Sequence, residues 1–128
     1  MRTIKFRGFS KALNDFVYGY LHYYERYDEF AIDDYAVNED SISQFTGQHD
    51  KNDTEIYEGD ILAHDYGGYS LIVYREECMA FCRIDAKDVG NINGYYNLSE
   101  HAWRSCLQRA RVIGNQYENP ELLNYKNN

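Results

Sequence analysis

Ser43-Gln44-Phe45-Thr46-Gly47-Gln48-His49-Asp50-Lys51-Asn52-Asp53-Thr54-Glu55-Ile56-Tyr57-Glu58-Gly59-Asp60-Ile61-Leu62 sets two reversal signals between β-prone runs. Residues 42–45 read as a strand and 47–53 as a loop closing on Asn52-Asp53, the residue types that after glycine best tolerate positive φ. Ile56-Tyr57 follows, Glu58-Gly59-Asp60 turns the chain again, and residues 60–64 begin another strand. Strands this short, separated by turns this tight, predict a β-rich fold.

The same grammar extends in both directions. Tyr66-Gly67-Gly68 reverses the chain into residues 69–74, where Leu71 and Val73 alternate with Ile72 and Tyr74. Apolar on both faces, that strand is expected at the centre of a sheet. Residues 78–84 read as a strand, 85–94 as a polar loop and 95–98 as a strand. Residues 99–105 are expected to form a short helix capped by Ser99 with Trp103 facing inward, and 109–115 a last strand. Asn119-Pro120-Glu121 predicts one helical turn over 119–123 before a fraying tail at 124–128. Towards the N-terminus, residues 3–9 alternate with period two, 10–15 carry turn chemistry and 16–24 are extended, which together predict a hairpin. Residues 29–32 are expected to extend it into a meander, with acidic loops flanking Tyr35-Ala36-Val37. The expected architecture is mainly β: a single domain over 1–128, a small barrel or sandwich with one or two short helices. The Glu58-Gly59-Asp60 turn into a strand is similar to that of small SH3-like barrels.

Charge is uneven within the net −8. Residues 1–11 carry Arg2, Lys5, Arg7 and Lys11 with no acid, whereas residues 15–60 hold thirteen acids against Arg26 and Lys51. Phosphate backbones are bound chiefly by Lys and Arg, so an acidic middle argues against general nucleic-acid affinity and favours a basic protein partner. The blander explanation is that these acids keep a Tyr-rich surface soluble. No apolar run reaches membrane-spanning length and no apolar secretion core opens the chain, so a cytoplasmic protein without membrane contact is expected. Cys78, Cys82 and Cys106 then read as reduced thiols, and the sequons at Asn52 and Asn97 as chance matches.

Candidate chemistry is sparse. His22, His49, His64 and His101 accompany the three cysteines, but on one strand the Cα atoms of Cys78 and Cys82 would lie roughly 13 Å apart, too far to share an ion. The acidic loop at 50–55 lacks the glycine and the final glutamate of a calcium loop. No Gly-x-Ser-x-Gly elbow or phosphate-cradling glycine loop occurs. The expectation is therefore no catalytic residues, no metal site and no cofactor. Tyrosine is the anomaly: Tyr18, Tyr20, Tyr23, Tyr24 and Tyr27 crowd one region of a chain with 14 tyrosines. Such rings pair across hairpins, and they also anchor interfaces. They are the candidate interaction surface, with self-association the chief alternative to a purely structural role.

Three blocks carry a family resemblance: Ile4-Lys5-Phe6-Arg7-Gly8-Phe9 with Val17-Tyr18-Gly19; Gln44-Phe45-Thr46-Gly47 through Asp50-Lys51-Asn52 to Ile56-Tyr57-Glu58-Gly59-Asp60-Ile61; and Val112-Ile113-Gly114-Asn115-Gln116-Tyr117-Glu118-Asn119-Pro120-Glu121-Leu122. In this order they resemble the YopX family of phage and prophage proteins. The resemblance implies a β-rich intracellular protein of a bacteriophage or mobile element, with no established activity and hence no catalytic residues to carry over. Asp53 stands where the family commonly has Gly, and Gly8 where it commonly has Ala. The functional expectation is an accessory protein that binds itself and a host or phage protein without catalysis. The alternative is a nucleic-acid-associated module using Lys5, Arg7, Arg109 and Arg111 as a basic strip on adjacent strands, and an enzyme would need a cleft joining carboxylates to His22, His64 or His101.

Overall fold

The computed structural model describes residues 3–89 and 94–123; the expected tail at 124–128 and part of the 85–94 loop lie outside the described residues. The fold is mainly β with a few short helical turns, as the spacing of reversals predicts. Two compact units form, Met1–Gly47 and Gln48–Asn128.

In the first unit, β1 (Phe6–Ser10) and β2 (Asp15–Gly19) make the expected hairpin, in register from Phe6 opposite Gly19 to Ser10 opposite Asp15. The expected single run over 16–24 instead divides between two sheets. β3 (Leu21–Tyr24) pairs with β4 (Glu29–Ile32), which pairs with β5 (Tyr35–Ala36) in a separate antiparallel sheet of order β3-β4-β5. The division falls at Gly19, whose φ is 155° and where an added Cβ would lie 2.8 Å from Asp33 Oδ1. Asp28 (φ 48°) and Asp33 (φ 54°) take left-handed turn positions. That tolerance of aspartate is what lets so short a sheet reverse twice without glycine.

β6 (Ser43–His49) runs past its expected end at residue 45, and its start pairs with β1, Arg7 opposite Ser43. A 3-10 turn, Glu39–Ser41, precedes it. The Ser41 hydroxyl accepts from Phe9 N–H at 2.8 Å and donates to Asn38 O at 2.6 Å, tying that turn to β1. Gly8 lies under Val37 so closely that an added Cβ would sit 2.8 Å from Val37 Cβ. Gly8→Ala is therefore expected to cost about 1–3 kcal/mol by overpacking. Val37→Gly in the same chain removes the Cβ that would be met, so the double substitution should cost less than the sum of the two single ones in urea unfolding, and additive costs would show that the two side chains do not compete.

In the second unit, β7 (Glu55–Tyr57) leads through Gly59, at φ 86°, into β8 (Asp60–His64). β9 (Tyr69–Arg75), β10 (Ala80–Asp85), β11 (Tyr95–Asn97) and β12 (Ala110–Asn115) complete an antiparallel sheet of order β11-β10-β9-β8-β12. β9 is its middle strand, as its two-sided apolar pattern predicts. Alternation sends successive side chains to opposite faces. Ile61, Leu71 and Ile84 stand in a row across β8, β9 and β10 and form one buried cluster. Leu62 and Ile72 join Ile56, Leu98, Leu107 and Ala110 in another, against which Trp103 and Phe81 pack.

Two local expectations fail. The helix is only α1 (His101–Arg104), continuing as a 3-10 turn over Ser105–Arg109, and Ser99 is not its cap: Glu100 holds that position, while Ser99 N–H donates to Asn97 Oδ1 at 2.8 Å. Trp103 does turn inward against the buried cluster, its ring tilted on that of Tyr96 with centroids 4.5 Å apart. Cys78 does not belong to β10. Met79 adopts φ 51° and its N–H donates to Glu76 O, so the chain turns at residues 76–79 and Cys78 folds back towards the strand.

Candidate functional site

The tyrosines named from sequence lie on β2, on β3 and in the adjoining turns, and all are well exposed, from 47% for Tyr24 to 72% for Tyr20. β3 is an edge strand of its sheet. Tyr23 leans on its cross-strand partner Phe30, ring centroids 4.9 Å apart, and its hydroxyl donates to Asp28 Oδ1. That hydrogen bond to a carboxylate holds the Tyr23 phenol above its usual pKa. His22 and Tyr24, two residues apart, share the opposite face with centroids at 6.3 Å. The Tyr23 ring thus has a cross-strand contact along one side and solvent along the other. Glu25, Asp28, Glu29, Asp33 and Asp34 surround this edge in sequence, but β3 itself, Leu21-His22-Tyr23-Tyr24, contains no acid.

The proposed basic strip does not assemble on adjacent strands. β1, with Lys5 just before it, has β2 and β6 as neighbours, whereas β12, carrying Arg111, pairs with β8. Arg7 is buried, its Nε donating to Ser43 Oγ at 3.0 Å and its guanidinium 5.1 Å from the Phe16 ring centroid. Held this way, it has a structural role in its hairpin.

A cleft of about 230 Å³ opens where β8 ends, β9 begins and β10 ends. Its elements meet because Gly67 (φ 100°) and Gly68 (φ 82°) reverse the chain tightly, while register sets Ser70 opposite Asp85. His64 lines it, stacked on Tyr66 at 4.8 Å, with Nε2 2.7 Å from Ser70 Oγ. Burial, then the nearby Arg83 cation, holds the His64 pKa below its usual value, leaving a neutral imidazole near pH 7. Burial likewise raises the Tyr66 phenol. Arg83 is buried on β10, its Nη1 donating to Asp85 Oδ1 at 2.9 Å and its guanidinium 4.4 Å from the Tyr96 ring centroid. Lys87 completes the rim. The cleft thus joins His64 to one carboxylate, but the hydroxyl at His64 belongs to Ser70, which is fully buried. The pair braces the β8–β9 turn and presents no nucleophile to solvent. Residue spacing carried no signal of this cleft, because Asp85 joins His64 only through the pairing of β9 with β10.

Among the described residues, no three His, Cys, Asp or Glu side chains gather as metal ligands. Yet the expected wide separation of two cysteines is wrong: Cys78 and Cys82 Sγ atoms lie 4.0 Å apart across the turn at Met79. Cys78 is half-buried, Cys82 buried in β10, and all three cysteines are free thiols. Burial first, then the Cys78 thiol, pushes the Cys82 pKa up to about 11.

No helix among the described residues is long and apolar enough to cross a membrane. The structure is similar to the crystal structure of protein EF1440 from Enterococcus faecalis, with a TM-score of 0.55 and 22% sequence identity over 96% of this chain and 99% of that one. At that identity the likeness is one of fold alone. No curated protein matches the chain. The three blocks of turns and strand starts at the N-terminus, centre and C-terminus are accompanied by a match of residues 5–124 to the family model described as YopX protein, and the chain belongs to the YopX family.

Proposed function

We propose that this is a phage or prophage accessory protein that works by protein binding without catalysis, and that its first partner is a second copy of itself, joined along β3. The observation that carries the proposal is an edge strand with exposed aromatic side chains and no charge of its own in a chain of net −8. An exposed strand edge offers unpaired N–H and C=O groups to another strand. Antiparallel pairing of β3 with the β3 of a second copy is self-complementary about a two-fold axis. It would bring tyrosines together rather than acids, and aromatic anchors with few rotatable bonds lose little entropy on association. Phage origin rests on the family, and the absence of catalysis is supported by the burial of Ser70 beside His64.

Sedimentation velocity over a concentration series tests this directly. The protein should sediment as a dimer at tens of micromolar. The double substitution His22→Lys, Tyr24→Lys places the charge with which natural edge strands block pairing, and it should weaken the dimer at least about tenfold while leaving the circular dichroism spectrum unchanged. A strict monomer at those concentrations, or a dimer indifferent to the two lysines, would overturn self-association through β3.

A further inference from the structure

We propose that Cys78 and Cys82 form a reversible intramolecular disulfide, a modification site built into the β9–β10 turn that takes low-molecular-weight disulfides as its oxidant. Three independent features place it there. The two sulfurs already touch at 4.0 Å, so reaching the bonded separation of about 2.05 Å requires only about 2 Å of closure. That closure falls on Cys78, which stands outside β10 in a turn. Cys82 by contrast is fixed opposite Val73 on one side and Asn97 on the other. The turn is also open: Met79, between the cysteines, is 82% exposed, so an incoming disulfide can reach Cys78 without unfolding the sheet. Cys106 has no comparable thiol contact; its Sγ donates to Ala102 O at 3.7 Å.

The chemistry balances as a thiol–disulfide exchange. The accessible Cys78 thiolate attacks one sulfur of the small disulfide, forming a mixed disulfide and expelling the first small thiolate. Cys82 then loses its proton to solvent and attacks Cys78 Sγ, forming the internal bond and expelling the second. The protein gives up two electrons and two protons, and the small disulfide becomes two thiols. Since burial disfavours the Cys82 thiolate, the second step is the slower one, and the adduct should appear on Cys78 before the internal bond.

The test is to incubate the folded protein with oxidised glutathione and follow thiol content and peptide masses with time. The expected result is transient glutathione on Cys78, then a Cys78–Cys82 crosslink with loss of two thiols, reversed by a reducing dithiol. Cys106→Ser should leave this course unchanged. Cys82→Ser should stop it at the Cys78 adduct, which also shows that Cys78 is reachable in the folded chain. A stable adduct on Cys78 with Cys82 still reduced in the unsubstituted protein would overturn the proposal. So would a crosslink from Cys78 to Cys106, or oxidation only after the circular dichroism signal is lost.

Discussion

Asp50→Ala is expected to lower the unfolding free energy by about 3 kcal/mol or more, the largest loss anticipated for any single polar side chain here. Asp50 is 4% exposed, and its carboxylate accepts three backbone hydrogen bonds. Oδ1 takes Asn52 N–H at 2.8 Å and Thr54 N–H at 2.9 Å, while Oδ2 takes Val112 N–H at 2.8 Å, sixty-two residues along the chain. Bonds to a charged acceptor contribute more than neutral ones, and alanine would leave three part-buried backbone donors without their acceptor. The same carboxylate shapes the turn that ends on Asp53 at φ 64° and anchors β12 beside it, where Lys51 N–H also donates to Ala110 O at 3.0 Å. Loop and strand should therefore loosen together. Asp50→Asn, keeping one acceptor oxygen, is expected to fall between wild type and alanine. Urea unfolding with an unchanged slope is the measurement. A loss below about 1 kcal/mol would mean that water replaces the carboxylate at little cost.

Ile72→Ala should cost about 3–4 kcal/mol, the range for truncating a large apolar side chain in a core that cannot collapse around the gap. Ile72 is fully buried on the middle strand and packs with Ile56, Leu62, Leu98, Leu107 and Ala110, which come from both sides of β9 in the chain. Paired strands on both flanks keep its backbone from moving inwards. Leu13→Ala is the contrast: that side chain is 47% exposed in a hairpin turn, and its truncation should change stability by less than about 0.5 kcal/mol. Similar costs at the two positions in parallel urea titrations would show that the second unit is not held by this cluster.

The turns were the most legible part of the chain. Asn52-Asp53 and Glu58-Gly59-Asp60 reverse the backbone where expected, Asp53 at φ 64° and Gly59 at φ 86°. Asp53 takes a left-handed position of the kind glycine favours, because aspartate tolerates it. Met79 is the counterexample. A methionine at φ 51° announces nothing in sequence, so residues 78–84 read as one strand and the cysteine pair was placed far too wide. The run over 16–24 misled for the opposite reason: its pattern is continuous, yet it divides between two sheets at Gly19, which lies close against Asp33.

Of the candidate surface, the tyrosines were visible as a cluster, but the standing of Tyr23 and Tyr24 on an edge strand depends on β3 pairing with β4 on one side and, among the described residues, with no strand on the other. The His64 cleft and the Asp50 anchor were invisible for one shared reason. Each is made by residues far apart in sequence, Ser70 with Asp85 through strand register and Asp50 with Val112 through a loop carboxylate reaching a strand, and such meetings are set by the burial of whole faces rather than by local spacing. Local φ preference and two-residue alternation are properties of a few neighbouring residues, so sequence alone determined where this chain turns and which strand is central. Which strand lies beside which, and which carboxylate, imidazole or thiol meets another, was decided only when distant segments packed, because that choice is made by the total apolar area each pairing buries.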